Sequence, residues 1–332
     1  TPDINPSFVS FALCSDVAVS WLKAHAVGAV MPNLNEDVLR RLPLLLPPIR
    51  LQTLIAHILG SLDDKIELNR RMNETLEAMA RALFKSWFID FDPVRAKADG
   101  RKPEGMDEAT AKLFPDSFEE SELGQIPSSW QTIPVLDIAD LISGGTPSTS
   151  NPTYWDGSIP WASAKDVSQC GEAFLIATER TITQDGLFNS ATKLIPKFST
   201  VVVARGATTG RFTIFGNDIA MNQTCYAIRD KHNCDFYLNG VFSELVAQLV
   251  HSAHGSVFDT ITTETFRRGM IVAPGLKLRQ SYNATVSPLF MRILTNLIES
   301  KSLASLRDAL LPKLLSGELR IKDAERFVEA AL

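Results

Sequence analysis

The sequence predicts an α+β protein: one mixed α/β domain joined to two long helices of coiled-coil type. Three observations lead there. A segment near the N-terminus recurs near the C-terminus. Each copy runs into a seven-residue apolar period. Between the copies lies a stretch of short β-rich runs broken by Gly, Asn and Asp.

The repeat is read first. Residues 28–52, GAVMPNLNEDVLRRLPLLLPPIRLQ, align with residues 255–280, GSVFDTITTETFRRGMIVAPGLKLRQ. Gly28 matches Gly255, Val30 matches Val257, Leu34 matches Ile261 and Leu39 matches Phe266. Arg40-Arg41 matches Arg267-Arg268, Pro47 matches Pro274 and Gln52 matches Gln280, at an offset of 227 to 228 residues. That period is far too long for a solenoid and describes two copies of one domain end.

The first helix carries Ile55, Leu62, Asn69, Leu76 and Leu83 every seven residues, with Ile58, Met72 and Met79 in the other seam position. The second carries Leu289, Asn296, Leu303 and Leu310, with Leu306 alongside. Its seam is weaker, because Arg292, Glu299 and Lys313 fall in it. Asn69 and Asn296 share one seam phase. A buried polar seam residue costs stability and fixes register; a solvated Asn at an imperfect seam is the other reading. On the first, replacing both with leucine raises the melting temperature and loosens partner choice.

Residues 89–130 are rich in Pro, Gly and charge and read as a linker with short helical turns. From Trp130 the texture changes: VVVARG and TIFGNDIAMNQTCYAI are strand-like. Residues 235–253 read as a helix with apolar side chains at 238, 241, 242, 245, 246, 249 and 250.

Composition bounds the function. The 332 residues are 45% hydrophobic, 21% charged and 8% aromatic, which excludes disorder, collagen-like repeats and a disulfide scaffold and suits about two domains. The formal charge is −5, from 33 basic and 38 acidic residues, so any DNA contact has to be local. Cys14, Cys170, Cys225 and Cys234 are scattered without a CxxC pair, as suits free thiols in a reducing cytoplasm. No apolar run approaches the roughly 20 residues that span a bilayer, and no signal peptide is read at the N-terminus. The chain starts at Thr1, so a fragment is one reading.

Enzyme signatures are weak. Glycines 144–145 and 206–210 lack the lysine and spacing of a phosphate-cradling loop. Asn151-Pro152-Thr153-Tyr154 lacks the second proline of an adenine methyltransferase motif. His251 and His254 have HxxH spacing without further ligands nearby, and Cys225, His232 and Cys234 lack a fourth ligand at finger-like spacing. Asp116 with Glu119 and Glu120 lacks a following lysine and reads as linker acidity.

The DNA-binding signal is stronger. Residues 186–229 hold Lys193, Lys197, Arg205, Arg211 and Arg229 against Asp218 alone, a local +4. Arg205-Gly-Ala-Thr-Thr-Gly-Arg211 is a small-residue loop between two strand-like runs. Its glycines allow close backbone approach, Thr208 and Thr209 can bond phosphates or bases, and arginine can grip guanine bidentately. Asn222 and Gln223 have the amide edge that suits adenine, with strand-end capping as the equal alternative. Gly145 and Thr146, in the loop Gly144–Ser148, can do similar backbone work or simply form a turn. Trp155 and Trp161 are read as core packing. Arg40-Arg41 and Arg267-Arg268 either touch phosphate or brace the helix entrance.

Four segments carry a family likeness. SGGTPSTSNPTYWDGSIPWASAKDV, 143–167, resembles the opening of a target recognition domain in type I restriction–modification specificity subunits. PPIRLQ with the long helix and WFIDFDPVRAKADG, 87–100, resembles that family's central region. LGQIPSSW, 123–130, resembles the entry to the second recognition domain, and LRDALLPKLLSGELRI, 306–321, the distal region. The resemblance implies a subunit without catalysis or cofactor of its own. Such a subunit reads a bipartite site on double-stranded DNA and docks adenine-methylating (M) subunits and a motor-nuclease restriction (R) subunit. S-adenosylmethionine, ATP and magnesium then belong to the partners.

The expected organisation follows. Residues 1–50 are the C-terminal part of a first target recognition domain, 51–90 the first spacer helix, 91–125 a linker, 126–277 a full recognition domain, and 278–332 the second spacer helix and tail. The helices 53–88 and 281–316 are expected to pair antiparallel, each of 36 residues and so about 54 Å long. No second opening precedes residue 51, which reads as a truncated first domain or a natural half-sized variant. A homodimer through the helices would supply the missing domain. Two alternatives stay open: a specificity module cut from a fused methyltransferase-nuclease, and a coiled-coil assembly protein.

Overall fold

The computed structural model describes residues 3–26, 33–252 and 260–332, the side chains of 248–252 excepted. In chain order the helices and strands are α1 Pro6–Cys14, α2 Asp16–His25, α3 Glu36–Arg40, α4 Ile49–Phe88, α5 Asp92–Ala98, α6 Glu108–Ala111, β1 Phe118–Ser121, β2 Gly124–Pro127 and β3 Gln131–Pro134. Then come α7 Val135–Ile138, β4 Ala139–Ser143, β5 Trp155–Ala162, α8 Ala164–Gln169, β6 Phe174–Leu175, β7 Arg180–Ile182, α9 Gln184–Phe188, β8 Leu194–Ile195 and β9 Thr200–Val203. The chain closes with β10 Phe212–Phe215, β11 Ile219–Met221, β12 Cys225–Asp230, α10 Asp235–Ser252, α11 Thr263–Arg268, β13 Met270–Ala273, α12 Leu276–Ser316 and α13 Ile321–Glu329. No single described helix is long and apolar enough to cross a membrane.

Two units result, Thr1–Asn73 with Thr295–Leu332, and Glu74–Leu294. The first is helical. Asn5 accepts from Phe8 N–H and Pro6 opens the first turn, so α1 starts where its sequence directs. Ser15 ends α1 and caps α2, with a 68° bend between them. Phe8 and Ala12 pack with Ile55, Leu59, Leu62 and Leu310 in one apolar cluster. Within this unit α4 and α12 run antiparallel: Asp63 meets Arg307, Lys65 meets Glu299 and Asn73 meets Asn296.

The expected heptad seam holds for only part of α4. Ile55, Leu62 and Asn69 are buried at seven-residue steps, but the buried series then continues as Asn73, Ala80 and Trp87, while Met79 is 48% exposed. A four-residue step at Asn69–Asn73 is a stutter, which locally unwinds the coil and turns a new face inward. Past it, Phe84, Trp87 and Phe88 pack edge to face with Tyr282 inside the second unit. Arg292, expected in the seam, is exposed.

The second unit holds every described strand. A five-stranded sheet has the order β4-β12-β9-β10-β6, and a four-stranded sheet the order β7-β5-β11-β8. β9, the run TVVV, is buried at all four residues, because it lies inside the sheet with both faces covered. Its core joins Val201 and Val203 to Phe215, Met221, Cys225 and Ala227. β13 pairs antiparallel with β3, closing the domain's end on its beginning. The segment 91–125 is folded more fully than a linker: it carries α5, α6 and the hairpin strand β1. Val94 and Phe114 are its buried apolar anchors, lost from view in a charge-rich composition.

The repeat reappears as structure. The caps Asn35 and Thr262 and the helix starts Ile49 and Leu276 are each 227 residues apart. Gly28, Val30, Gly255 and Val257 lie outside the described residues. The offset sets Gln52 against Arg279 instead of Gln280. Both are buried on the first turn of a long helix. Gln52 bonds Asp3 O and accepts from Asn5 N–H, whereas Arg279 pairs with Asp230, which stands 227 after Asp3. The copies differ at Ser15, whose counterpart Phe242 is buried against Phe266, so α10 is unbroken where α1 and α2 are two helices.

Candidate nucleic-acid interface

Four loops of the second unit converge at one end of its sheets. β9 delivers the loop 204–211, and Ala204 N–H donates to Thr224 O at 2.8 Å, setting that loop beside the β11–β12 turn. Asn222 closes this turn, its side-chain oxygen accepting from Thr224 N–H at 3.2 Å and Thr224 Oγ1 at 2.8 Å. Gly145 N–H donates to Met221 O at 2.9 Å, and Thr192 Oγ1 donates to the same carbonyl at 3.1 Å. Thr146 then donates to the Gln223 side chain. Lys193 is exposed one residue before β8, whose pairing with β11 brings it level with Met221.

The 204–211 loop keeps its shape by itself. Gly206 and Gly210 take φ of 97° and 87°, a region that L side chains rarely enter. Thr209 Oγ1 donates to Gly206 O at 2.7 Å, and Gly210 N–H to Val203 O at 2.9 Å. Arg205, Thr208 and Arg211 are exposed on it. Neither arginine has an ion pair among the described residues.

The structure therefore brings Lys193, Arg205, Thr208, Thr209, Arg211, Gln223 and Thr146 to one end of the sheets. Lys197 is corrected. It lies before β9 and the loop lies after it, so four strand residues, roughly 13 Å of rise, separate them. Its backbone N–H donates to Asp218 and its ammonium sits 4.8 Å from the Phe198 ring. Arg229 is likewise near the far end of β12, at Asn233, so the local +4 divides between two ends. Gly145 is corrected as well. It is buried, its N–H and C=O are both engaged inside the domain, and a Cβ there would lie 2.4 Å from the Ala191 carbonyl carbon. It is a close-packing glycine with no group left for phosphate. Asn222 performs the capping that was its alternative, with its side-chain oxygen committed to Thr224.

The tryptophans pack as expected: Trp155 and Trp161 are buried edge to face, centroids 5.2 Å apart. Sequence reasoning missed Arg180, whose guanidinium carbon is 3.4 Å from the Trp155 ring centroid. Only the cation–π pairing, not any motif, marks it. Arg40 pairs with Glu36, and Arg267 and Arg268 with Glu264, so these arginines brace their own short helices. Asn151 caps the turn Pro152–Tyr154, accepting from Thr153.

Metal chemistry finds no cluster: no group of three or more His, Cys, Asp or Glu suited to an ion occurs among the described residues. Burial pushes the Cys225 thiol up to about 12 and that of Cys234 to about 11, and β12 separates the two. The HxxH pair of His251 and His254 lies outside the described residues and side chains.

The model of the type I restriction modification DNA specificity domain matches residues 3–78 and 127–299. The type I restriction enzyme HindI specificity subunit of Haemophilus influenzae is 30% identical, across 95% of this chain and 77% of its own length. The MjaIX specificity subunit of Methanocaldococcus jannaschii is 25% identical, across 91% of this chain and 66% of its own length. The crystal structure of a type I restriction–modification S subunit from M. genitalium superposes with a TM-score of 0.53 at 15% identity, covering 94% of this chain and 73% of that one, a likeness of fold.

Proposed function

The chain belongs to the type I restriction–modification specificity-subunit family, and on that premise we propose that residues 126–277 are one complete target recognition domain reading part of a bipartite site on double-stranded DNA. The observation that carries this reading is the convergence of Lys193, Arg205 and Arg211, none of them ion-paired among the described residues, on one loop face. Backbone groups and cations dock the phosphates there, and a few loop side chains read base edges. In this reading the chain performs no catalysis. Adenine methylation and DNA cleavage belong to the M and R subunits, which dock on the helices and their ends, and the assembly works in the cytoplasm. The helices α4 and α12, of 40 and 41 residues, act as a spacer of about 60 Å between half-site readers. Residues 1–50 are the end of a first recognition domain, and a homodimer through the helices brings a second complete domain.

Selection from a random duplex pool, with the chain alone and with its methylation partner, tests this reading. One enriched short motif means a single working domain. A two-part motif with a fixed gap means two assembled domains. No enrichment in either format overturns the proposal. Solution mass decides the dimer, which a strict monomer excludes.

A further inference from the structure

Arg180 opens β7, the edge strand of the four-stranded sheet, and lies opposite Trp161 in the ladder to β5. Its guanidinium carbon is 3.4 Å from the Trp155 centroid and 6.0 Å from that of Trp161. Both indoles are held by the loop that follows β4. Trp155 Nε1 donates to Ser148 O, and Trp161 Nε1 to Gly145 O, each at 3.1 Å. A bulge between Trp155 and Ile159 makes the arrangement fit, with Asp156 at φ 59° and no room for a Cβ on Gly157. The stacked guanidinium thus sits on a rigid aromatic floor, next to the segment whose Thr146 holds Gln223.

Arg180 itself is exposed and has no ion pair among the described residues. The neighbouring acid, Glu179, is taken by Lys165 at 2.7 Å. Stacking fixes the plane of a guanidinium while leaving its edge N–H donors free. A free surface arginine loses rotamer entropy on binding; this one is already ordered. A phosphate takes this fork or a lysine's point charge equally well, whereas the O6 and N7 of guanine are matched by two parallel donors in a set plane, and only that contact ties affinity to one base pair.

We propose that Arg180, ordered on Trp155, is a specificity-determining contact that reads a guanine edge in the target. This rests on the recognition reading above. The experiment is duplex selection and titration with the full chain and its methylation partner, as wild type, Arg180→Ala and Arg180→Lys. Both variants are expected to keep the wild-type melting temperature and lose preference at one G·C position. Affinity for the wild-type site should fall by about 5- to 100-fold, with the other positions unchanged. A motif unchanged in Arg180→Ala while affinity falls marks a phosphate contact and overturns the proposal, as does unchanged affinity in Arg180→Ala. A wild-type protein that enriches no motif overturns the recognition reading and this inference with it.

Discussion

Asn69 and Asn296, 227 residues apart, occupy equivalent places on opposite sides of one helix pair. Asn69 Nδ2 donates to Glu299 Oε2 at 2.8 Å and to Ser300 Oγ at 3.3 Å, while Asn296 Nδ2 donates to Asn73 Oδ1 at 2.8 Å; Ser300 itself stands 227 after Asn73. The two seam asparagines therefore stand at equivalent positions of the helix pair within the first unit.

This pairing changes the expected effect of substitution. Asn296→Leu strands the buried Asn73 amide, which costs about 1–3 kcal/mol and lowers the melting temperature. Replacing Asn73 and Asn296 together removes both partners and restores or exceeds wild-type stability. Replacing Asn69 with Asn296, the pair that the heptad marks, leaves Asn73 and Ser300 unpartnered and lowers stability. A thermal double-mutant cycle measures all three.

On the loop face, Arg205→Ala and Arg211→Ala are each expected to weaken duplex affinity by about 5- to 100-fold if they grip bases, or to reduce the salt slope by about one if they grip phosphate. Lys197→Ala leaves affinity unchanged, since that lysine is at the other end of β9. Fluorescence titration at several salt concentrations separates these outcomes; equal losses in all three variants contradict the assignment of ends.

Gly145→Ala acts through packing. Its Cβ would collide with the Ala191–Thr192 backbone, so the variant is expected to lose about 1–3 kcal/mol of stability. Calorimetry of the free protein reads this directly. A variant that folds normally yet binds DNA poorly returns Gly145 to a phosphate-contacting role.

Asp235 gives a pH signature. Burial pushes its carboxyl up to about 6, against the pull of the Asp230 N–H and of Arg229, whereas in the unfolded chain it titrates near 4. Between those values the folded state holds a proton that the unfolded state lacks, so this contribution to stability is full below about pH 4 and is lost as pH rises through 6. Asp235→Asn keeps the oxygen that accepts from Asp230 N–H. It should stabilise the protein at pH 7.5 by on the order of 1–2 kcal/mol and leave it unchanged at pH 4. Denaturant unfolding at both pH values is the check.

Elements governed by local pattern were legible in the sequence: the repeat, the two long helices to within a turn or so of their starts, the strand-like VVV run and the Arg205–Arg211 loop. What escaped depends on chain reversal and distant approach. Lys197 and Arg205 are close in sequence but a strand carries them apart. Gly145 is special only because Ala191 returns to meet it. The stutter at Asn73 replaces one seven-residue phase with another, and both have apolar residues to offer. Arg180 finds Trp155 through a bulge that no periodicity announces.

The break at Ser15 has a consequence for how the N-terminal region opens. It divides the counterpart of α10 into helices of nine and ten residues, each shorter than the roughly 12–15 residues at which a helix sustains itself in water. α1 is anchored by Phe8 and Ala12, but α2 buries Ala18 alone. Its backbone amides should therefore exchange with solvent deuterium well before those of α4. Trypsin should reach the chain at Lys23 while the apolar cluster around Leu59 and Leu310 is still closed.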